Sequence, residues 1–225
     1  MTAAPEAPEA PPGRPVVVAT DLDRTFTRED LALSPEAIQR ARRLRQEGVH
    51  VILVTGRPSA ELRAHELRGC FDAMVLEGGA VWGRPGRWTV PPVPDALWEA
   101  AKAAAAQGHG VREGWASFSA SASAATFLQG RGLSWRCNRD RIDVTAPGVD
   151  KGSGLRAALD ELRLRDPWVL GIGDAANDIP LFGAAAASVA VANAEPELAA
   201  LAGFRAPHPA HRGFLWAVSR LGKRG

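Results

Sequence analysis

The stretch Val16-Val17-Val18-Ala19-Thr20-Asp21-Leu22-Asp23-Arg24-Thr25 decides the fold, because an apolar, β-branched run ends abruptly in two carboxylates and a hydroxyl. Such a run is typical of a strand buried on both faces, as in a parallel sheet. Asp21 then lies at the carboxyl end of the strand, where open α/β sheets bind their ligands. Asp21 and Asp23 fall on the same side of an extended backbone, so both can approach one ligand atom. Taken alone, the pair suits a simple Asx turn equally well.

Composition excludes several classes of protein. The 225 residues carry a net charge of +2, which is too small to indicate binding to nucleic acid or to an anionic membrane. Two cysteines are too few for a disulfide framework, and no apolar run reaches the length of a membrane span. The first residues lack the apolar region of a signal peptide, so we expect a cytoplasmic protein. We expect it to act as a monomer or homodimer.

Strand and helix patterns alternate on both sides of a central segment. A second strand at 49–54 is followed by a predicted helix around 59–67 and by a third strand at 73–76. The alternation resumes with a helix at 150–164 and a strand at 168–172. This order predicts an α/β fold, a parallel sheet with right-handed crossovers.

The chain divides by composition into a tail, a core domain and an insert. Residues 1–14 are rich in Pro, Ala and Glu and are predicted to form a disordered tail. Residues 15–80 and 146–225 carry the alternating pattern and are predicted to form a Rossmann-like core domain. Residues 81–145 mix hairpin, helix and strand patterns, which predicts a small α+β domain inserted between the two halves.

Polar residues follow the second strand and open one helix of the core. Thr55 and the amides of Gly56 and Arg57 could bind phosphoryl oxygens, although a hydroxyl here also suits a simple turn. Lys151 opens a helix, where its charge opposes the helix dipole, and the chain has only two other lysines. A neighbouring carboxylate and phosphate would explain a compact cation at this position.

A second acidic motif, Gly173-Asp174-Ala175-Ala176-Asn177-Asp178, follows the strand at 168–172. Asn177 or Asp178 can cap the helix that comes next. Capping does not explain Asp174, and two acids four residues apart suit a hard cation.

The motifs occur along the chain in the order DxDxT, Thr, an insert, Lys and GDxxND. In this order they resemble the haloacid dehalogenase-like (HAD) phosphohydrolase superfamily. The position of the insert resembles a C2-type cap. Its modest length and the flanking Glu77-Gly78-Gly79-Ala80 are similar to subgroup IIB, with its sucrose-phosphatase-like, Cof-like and archaeal phosphoglycolate phosphatase-like enzymes. The chain departs from the family at Arg24, where Gly is common, and at Gly78 or Gly79, where Asn is usual.

The resemblance implies a Mg²⁺-dependent phosphatase that acts through an aspartyl-phosphate. Asp21 would be the nucleophile, and Asp23 would be the general acid and base. The implied metal ligands are Asp21, the backbone carbonyl of Asp23, Asp174, and Asp178 either directly or through water. The residues expected to bind the phosphate are Thr55, Gly56, Arg57, Lys151 and Asn177.

The expected partner is a small phosphorylated metabolite, either a sugar phosphate or a phosphoglycolate- or phosphoglycerate-type compound. Basic and polar residues of the insert could contact its leaving group, or they could form a solvated face: Arg112, Arg136, Asn138, Arg139 and Arg141. Trp115 and Trp135 could stack on a sugar or lie in the core of the small domain.

Two other functions remain open from the sequence. A phosphosugar mutase on the same scaffold would carry the same motifs and return the phosphoryl group to substrate. A receiver-type signalling domain fits less well, because it is far shorter, has no cap and needs its acceptor Asp after the third strand. Here that strand ends in Leu76-Glu77-Gly78.

Overall fold

The computed structural model describes residues 6–62 and 65–221. Within these ranges the strands are β1 (Val16–Thr20), β2 (His50–Val54), β3 (Ala73–Leu76), β4 (Val81–Arg84), β5 (Arg87–Thr89), β6 (Arg112–Glu113), β7 (Ser117–Ser121), β8 (Ser134–Asn138), β9 (Arg141–Thr145), β10 (Trp168–Gly173), β11 (Ala187–Ala190) and β12 (Phe204–Arg205). The α-helices are α1 (Pro35–Gln46), α2 (Asp95–Ala106), α3 (Ala124–Leu128), α4 (Lys151–Glu161), α5 (Ile179–Gly183), α6 (Pro196–Leu201) and α7 (Ala210–Ala217). None of the described helices is both long and apolar enough to cross a bilayer.

The core domain is an eight-stranded sheet with apolar layers on both faces. The strand order is β12-β11-β10-β1-β2-β3-β4-β5, and the strands from β12 to β3 are all parallel. The predicted α/β fold with a Rossmann-like core is therefore confirmed. β1 lies between β10 and β2, and Val17 and Val18 face opposite apolar clusters, as expected for a strand covered on both sides.

Helix α1 shows how the sequence specifies the layers. Ser34 caps the helix by accepting a hydrogen bond of 3.2 Å from the amide of Ala37, and Pro35 takes the first helical position. Ala41 and Leu44 lie on the buried face of this helix. Arg43 lies in its last turn, where the helix dipole stabilises a positive charge.

The inserted domain is a four-stranded antiparallel sheet with strand order β6-β7-β9-β8, covered on one face by α2 and α3. Alternation decides which side chains point each way. Phe118, Ala120, Ile142 and Val144 pack with Leu97 of α2 in the apolar cluster of this domain. The polar residues between them, on β7 and β9, lie on the opposite face of the sheet. We call this domain the cap.

The boundary predicted after residue 80 is too early. Strands β4 and β5 extend the core sheet, because β4 pairs with β3 in the register Leu76↔Val81 and β5 pairs with β4. Val81 is fully buried there, so this hairpin belongs to the core domain. The cap begins with the approach to α2 and ends at β9.

Two local predictions also differ from the structure. In place of the predicted tail, residues 6–14 lie against the core domain: Ala7 and Ala10 are buried, and Arg220 pairs with Glu6 and Glu9. Residues 1–5 lie outside the described ranges. In the helix predicted around 59–67, Ser59–Glu61 form a single 3-10 turn and residues 65–67 lie in irregular turns, while residues 63 and 64 lie outside the described ranges.

Candidate active site

Three neighbouring parallel strands end at one edge of the core sheet, and each is followed directly by a polar residue. Thr20 of β1 lies opposite Leu53 of β2 and Ile172 of β10. Asp21, Thr55 and Asp174 therefore meet at the same edge, and all three line one cavity. The side chains predicted from the ends of the strands are thus brought together, as the parallel arrangement requires.

Lys151 connects the acidic residues of this edge. Its Nζ donates to Asp21 Oδ1 at 2.7 Å and to Asp178 Oδ1 at 2.6 Å, and it lies 3.4 Å from Asn177 Oδ1. Burial alone would lower the pKa of this lysine, which is only 2% exposed, but Asp178 and Asp21 raise it above its usual range. Lys151 is therefore a permanent cation between two carboxylates.

The start of α4 holds Lys151 in place. Asp150 caps the helix by accepting a hydrogen bond of 2.9 Å from the amide of Ser153. The backbone of Asp150 packs directly against Gly79, where a Cβ atom would lie 1.9 Å from the Asp150 carbonyl oxygen. Gly79 also has φ +113°, so both conformation and space require glycine at this point.

Three buried carboxylates, those of Asp21, Asp174 and Asp178, each offer an oxygen within 4.8 Å of the others. Burial and then the charge of Asp178 raise the pKa of Asp174 to about 6. The pKa of Asp21 is also raised, chiefly by burial and against the opposing effect of Lys151. A cluster of buried oxygen ligands with excess negative charge fits a hard divalent cation such as Mg²⁺.

Asp178 is the most constrained member of this cluster. One carboxylate oxygen accepts from Lys151, and the other accepts from the amides of Asp174 at 3.0 Å and Ala175 at 3.2 Å. Asp178 therefore holds both the lysine and the loop that carries Asp174. Asp178 was predicted to bind the metal ion either directly or through a water molecule, and this arrangement favours the role through water.

Asp23 is paired with Arg57. The guanidinium donates from Nε to Asp23 Oδ2 and from Nη2 to Asp23 Oδ1, both at 2.7 Å. Burial would lower the pKa of Arg57, but these two hydrogen bonds raise it. The chain turns at Asp23 and the residues after it, and Arg24 has φ +56°, a conformation for which glycine would be less strained.

Four of the five residues expected to bind the phosphate line the cavity, and three of these four, Gly56, Arg57 and Asn177, also lie against other residues. The amide of Arg57 donates to Thr55 Oγ1 at 3.2 Å, and its guanidinium donates to Asp23. Both groups of Arg57 are therefore hydrogen-bonded to neighbouring side chains. Gly56 faces the cap so closely that a Cβ atom would lie 2.8 Å from Asp143 Oδ2. The same oxygen of Asp143 lies 3.2 Å from Nδ2 of Asn177.

The polar face of the cap sheet covers this edge of the core domain. Between them lies a cavity of about 400 Å³, which contains Asp21 and Asp23 on the core side. The cap residues predicted to contact the substrate that do line it are Arg112, Asn138, Arg139 and Arg141. Arg136 is exposed and is not among the lining residues, Trp135 packs against the apolar cluster of the cap, and Trp115 is 48% exposed.

Arg139 of the cap forms an ion pair with the core domain. It lies at the tip of the β8–β9 hairpin, and its guanidinium donates to Asp174 Oδ2. Asp174 also receives weaker contacts from Nδ2 of Asn193 at 3.4 Å and from Oγ1 of Thr25 at 3.5 Å.

Glu77 fixes the cap to the core domain. Its carboxylate accepts hydrogen bonds from the amides of Trp115 at 2.9 Å and Ala116 at 2.8 Å, and from Oγ of Ser117 at 3.0 Å. Glu77 is only 1% exposed. A buried carboxylate whose three partners all belong to the cap ties the start of β7 to the core domain.

Two residues of the site were not predicted from the sequence. Asp143 lies on the polar face of β9, and alternation along Arg141-Ile142-Asp143-Val144-Thr145 would have placed it there. Glu77 was noted only as part of a flanking motif, and its link to the cap depends on residues about 40 positions away. No local signal reveals a contact of that kind.

Comparison with known proteins agrees with this geometry. A family model described as haloacid dehalogenase-like hydrolase matches residues 18–80 and 125–218. A phosphoglycolate phosphatase from Methanothermobacter thermautotrophicus is 30% identical over 221 residues, which cover 91% of this chain and 97% of that protein. A phosphoglycolate phosphatase from Methanospirillum hungatei is 26% identical over 215 residues, which cover 88% and 93%.

The fold also matches a solved structure, a HAD subclass IIB sugar phosphatase, with a TM-score of 0.74. That match has 17% sequence identity and covers 85% of this chain and 93% of the other. The chain therefore belongs to the haloacid dehalogenase-like hydrolases and is a phosphatase of that family.

Proposed function

We propose that this phosphatase hydrolyses a small phosphomonoester with Mg²⁺ and through an aspartyl-phosphate on Asp21. The observation that carries the proposal is Lys151, which lies between Asp21 and Asp178 and beside Asp174. A buried nucleophile, a fixed cation hydrogen-bonded to it and a cluster of oxygen ligands are the groups that phosphoryl transfer needs.

In the first step, Asp21 attacks phosphorus and the bond from phosphorus to the leaving oxygen breaks. The attack of one anion on another is slow unless charge is neutralised first. Lys151 holds Asp21 in orientation by its 2.7 Å hydrogen bond and supplies one of the positive charges. Mg²⁺, bound by Asp21, Asp174 and the Asp23 carbonyl with help from Asp178, would supply the others as a Lewis acid.

Asp23 is the proposed acid and base. It lines the same cavity as Asp21 and would protonate the leaving alkoxide. It would then take a proton from the water molecule that hydrolyses the aspartyl-phosphate. The bidentate contact with Arg57 fixes its orientation, so Arg57 is proposed to position Asp23.

We propose phosphoglycolate, or a closely related phosphorylated carboxylic acid, as the substrate. The curated relatives that cover most of the chain are phosphoglycolate phosphatases. The cavity of about 400 Å³ is near the small end of ligand sites, and three arginines of the cap line it. Because the net charge is small, we propose that neither nucleic acid nor a membrane is a partner. We also propose that the protein is cytoplasmic and acts as a monomer or homodimer.

A sugar phosphate is the second candidate. The polar face of the cap also presents Ser117, Ser119 and Asn138 to the cavity, and hydroxyl and amide groups suit a polyol. If the enzyme returned the phosphoryl group to such a sugar, it would be a mutase, and the product would be an isomeric phosphate instead of inorganic phosphate.

The test is a screen of small phosphate esters with Mg²⁺ and with EDTA, in which both inorganic phosphate and isomeric products are measured. We expect hydrolysis of phosphoglycolate that chelation abolishes. Asp21→Asn should abolish turnover while circular dichroism stays unchanged, and rapid quenching of the wild type should give a phosphorylated peptide that contains residue 21. Turnover that survives either chelation or Asp21→Asn would overturn the mechanism.

A further inference from the structure

The tip of the β8–β9 hairpin has an unusual residue. Asn138 pairs with Arg141, so Arg139 and Asp140 form a two-residue turn. Arg139 has φ +57°, a left-handed conformation that Gly, Asn or Asp usually occupies at such a turn. An arginine in this strained position needs a specific interaction to hold it there.

That interaction is an ion pair between the two domains. The Arg139 guanidinium donates to Asp174 Oδ2, and the side chains are 32% and 4% exposed. Asp174 belongs to the three-carboxylate cluster that fits a divalent cation. The cap therefore places a positive charge on one of the three carboxylates that fit a metal ion.

We propose that Arg139 and the divalent cation compete for Asp174, and that the displaced Arg139 then binds a carboxylate on the leaving group of the substrate. The second half of this proposal rests on the proposed function, because it assigns a residue to the carboxylate of the proposed substrate class. Arg139 would then determine specificity for a carboxylate on the substrate, and it would be free to bind that carboxylate only when the metal is bound.

The competition follows from charge and space. A dication attracts the cluster more strongly than a single guanidinium does, and a cation bound to Asp174 would repel the guanidinium that lies against the same carboxylate. Asn193 lies 3.4 Å from Oδ2 of Asp174, so the surroundings of this oxygen are already filled on another side.

The second step follows from the cost of an unpaired charge. A guanidinium that is two-thirds covered and has lost its carboxylate is unfavourable until another anion replaces it. Arg139 lines the substrate cavity, and a substrate carboxylate matches the planar fork of its donors. A leaving group without a charge cannot take the place of Asp174.

Titration calorimetry of Mg²⁺ without substrate tests the competition. Arg139→Gln should bind Mg²⁺ about tenfold more tightly than the wild type, because the competing cation is gone. Arg136→Gln removes an exposed guanidinium of the same cap sheet that does not line the cavity, and it should leave Mg²⁺ affinity unchanged. Equal affinity in the wild type and Arg139→Gln, or an equal gain in Arg136→Gln, would overturn the competition.

The ratio of kcat/KM for phosphoglycolate to that for 2-hydroxyethyl phosphate tests the second step. The two esters differ only in the carboxylate, and Arg139→Gln should lower the ratio by roughly tenfold to a hundredfold. Arg139→Lys keeps the charge but loses the fork, so it should fall in between. A ratio that is unchanged in Arg139→Gln, or that falls as far in Arg136→Gln, would refute the role of Arg139.

The two tests separate failure of this proposal from failure of the proposed function. If the wild type hydrolyses neither ester, the proposed substrate is wrong, whereas the Mg²⁺ titration still decides whether Arg139 competes at Asp174.

Discussion

The core half and the cap half of the active site are built in different ways. In the core domain the reactive groups follow strands or open a helix, and they are almost fully covered: Lys151 is 2% exposed and Asp178 is 0% exposed. In the cap the groups project from one face of an antiparallel sheet, and Arg139 keeps 32% of its side chain exposed. The core half fixes one geometry, whereas the cap half makes contacts that can be exchanged.

This difference separates chemistry from recognition. Lys151 and Asp178 of the core are each held by several hydrogen bonds, so a change at either should alter both stability and catalysis. Arg139 of the cap meets the core through one ion pair, so a change there should alter binding with little effect on stability. Comparing variants of the two halves tests this separation.

Replacement of Lys151 by Met should have the largest effect on stability. It leaves Asp21 and Asp178 facing one another without their shared cation, and breaking a buried ion pair costs about 3–5 kcal/mol. Urea unfolding in EDTA measures the free energy of unfolding. Lys102→Met, at an exposed position of α2, is the matched control and should change it little. An equally small change for Lys151→Met would mean that the core half is not held by this residue.

Glu77→Gln should have an intermediate effect, because it weakens a core group that binds the cap through three hydrogen bonds. The new side chain keeps one carbonyl oxygen, so its NH2 group faces the amide of either Trp115 or Ala116, a mismatch that we expect to cost about 2 kcal/mol. Thermal unfolding measures the loss of stability, and proteolysis within residues 90–145 measures the loosening of the cap. Glu113→Gln, at an exposed position of β6, should behave like the wild type. If both variants match the wild type, Glu77 does not tie the two domains together.

Asp143→Asn should have the smallest effect, with a sign that depends on pH. Burial raises the pKa of Asp143, so the folded state favours its protonated form. Its contribution to stability is therefore complete below its ordinary pKa and is lost as the pH rises through the raised value. At about pH 8 the variant should be more stable than the wild type by about 1 kcal/mol, and the gain should shrink toward about pH 4.

The same variant should also bind inorganic phosphate more tightly, by about threefold, because the Asp143 carboxylate lies between Gly56 and Asn177 and repels an anion. Inhibition by phosphate at about pH 8 measures this effect. Weaker inhibition would show that Asp143 assists phosphate binding.

The core half could be predicted from the sequence because strand ends are local features. The apolar run that ends at Asp21 and the matching ends at Thr55 and Asp174 all follow from patterns within a few residues. Parallel pairing then brings them together without further information. The position of Lys151 was predicted for the same reason, since its place at a helix start was electrostatically unfavourable without a partner.

The cap half could not be predicted to the same depth. Alternation assigns Asp143 to a face of β9, but it does not reveal that this face meets Gly56 of the core domain. The predicted helix at 59–67 failed for a related reason: its pattern was short, and Leu67 is buried from within an irregular turn. Composition also misjudged residues 6–14, because Ala7 and Ala10 needed only a neighbouring surface to become buried.

The close packing of Gly79 against Asp150 has a consequence for how the chain folds. The central strand pair joins Val16 to Trp168, so its formation closes a loop of about 150 residues, which is a slow step in folding. Contact between Gly79 and Asp150 brings together the segments on either side of β4, β5 and the cap and shortens that loop by almost half. An insert that folds early from its own local contacts would therefore act as a kinetic aid, and the cap would speed the assembly of the core domain that it later covers.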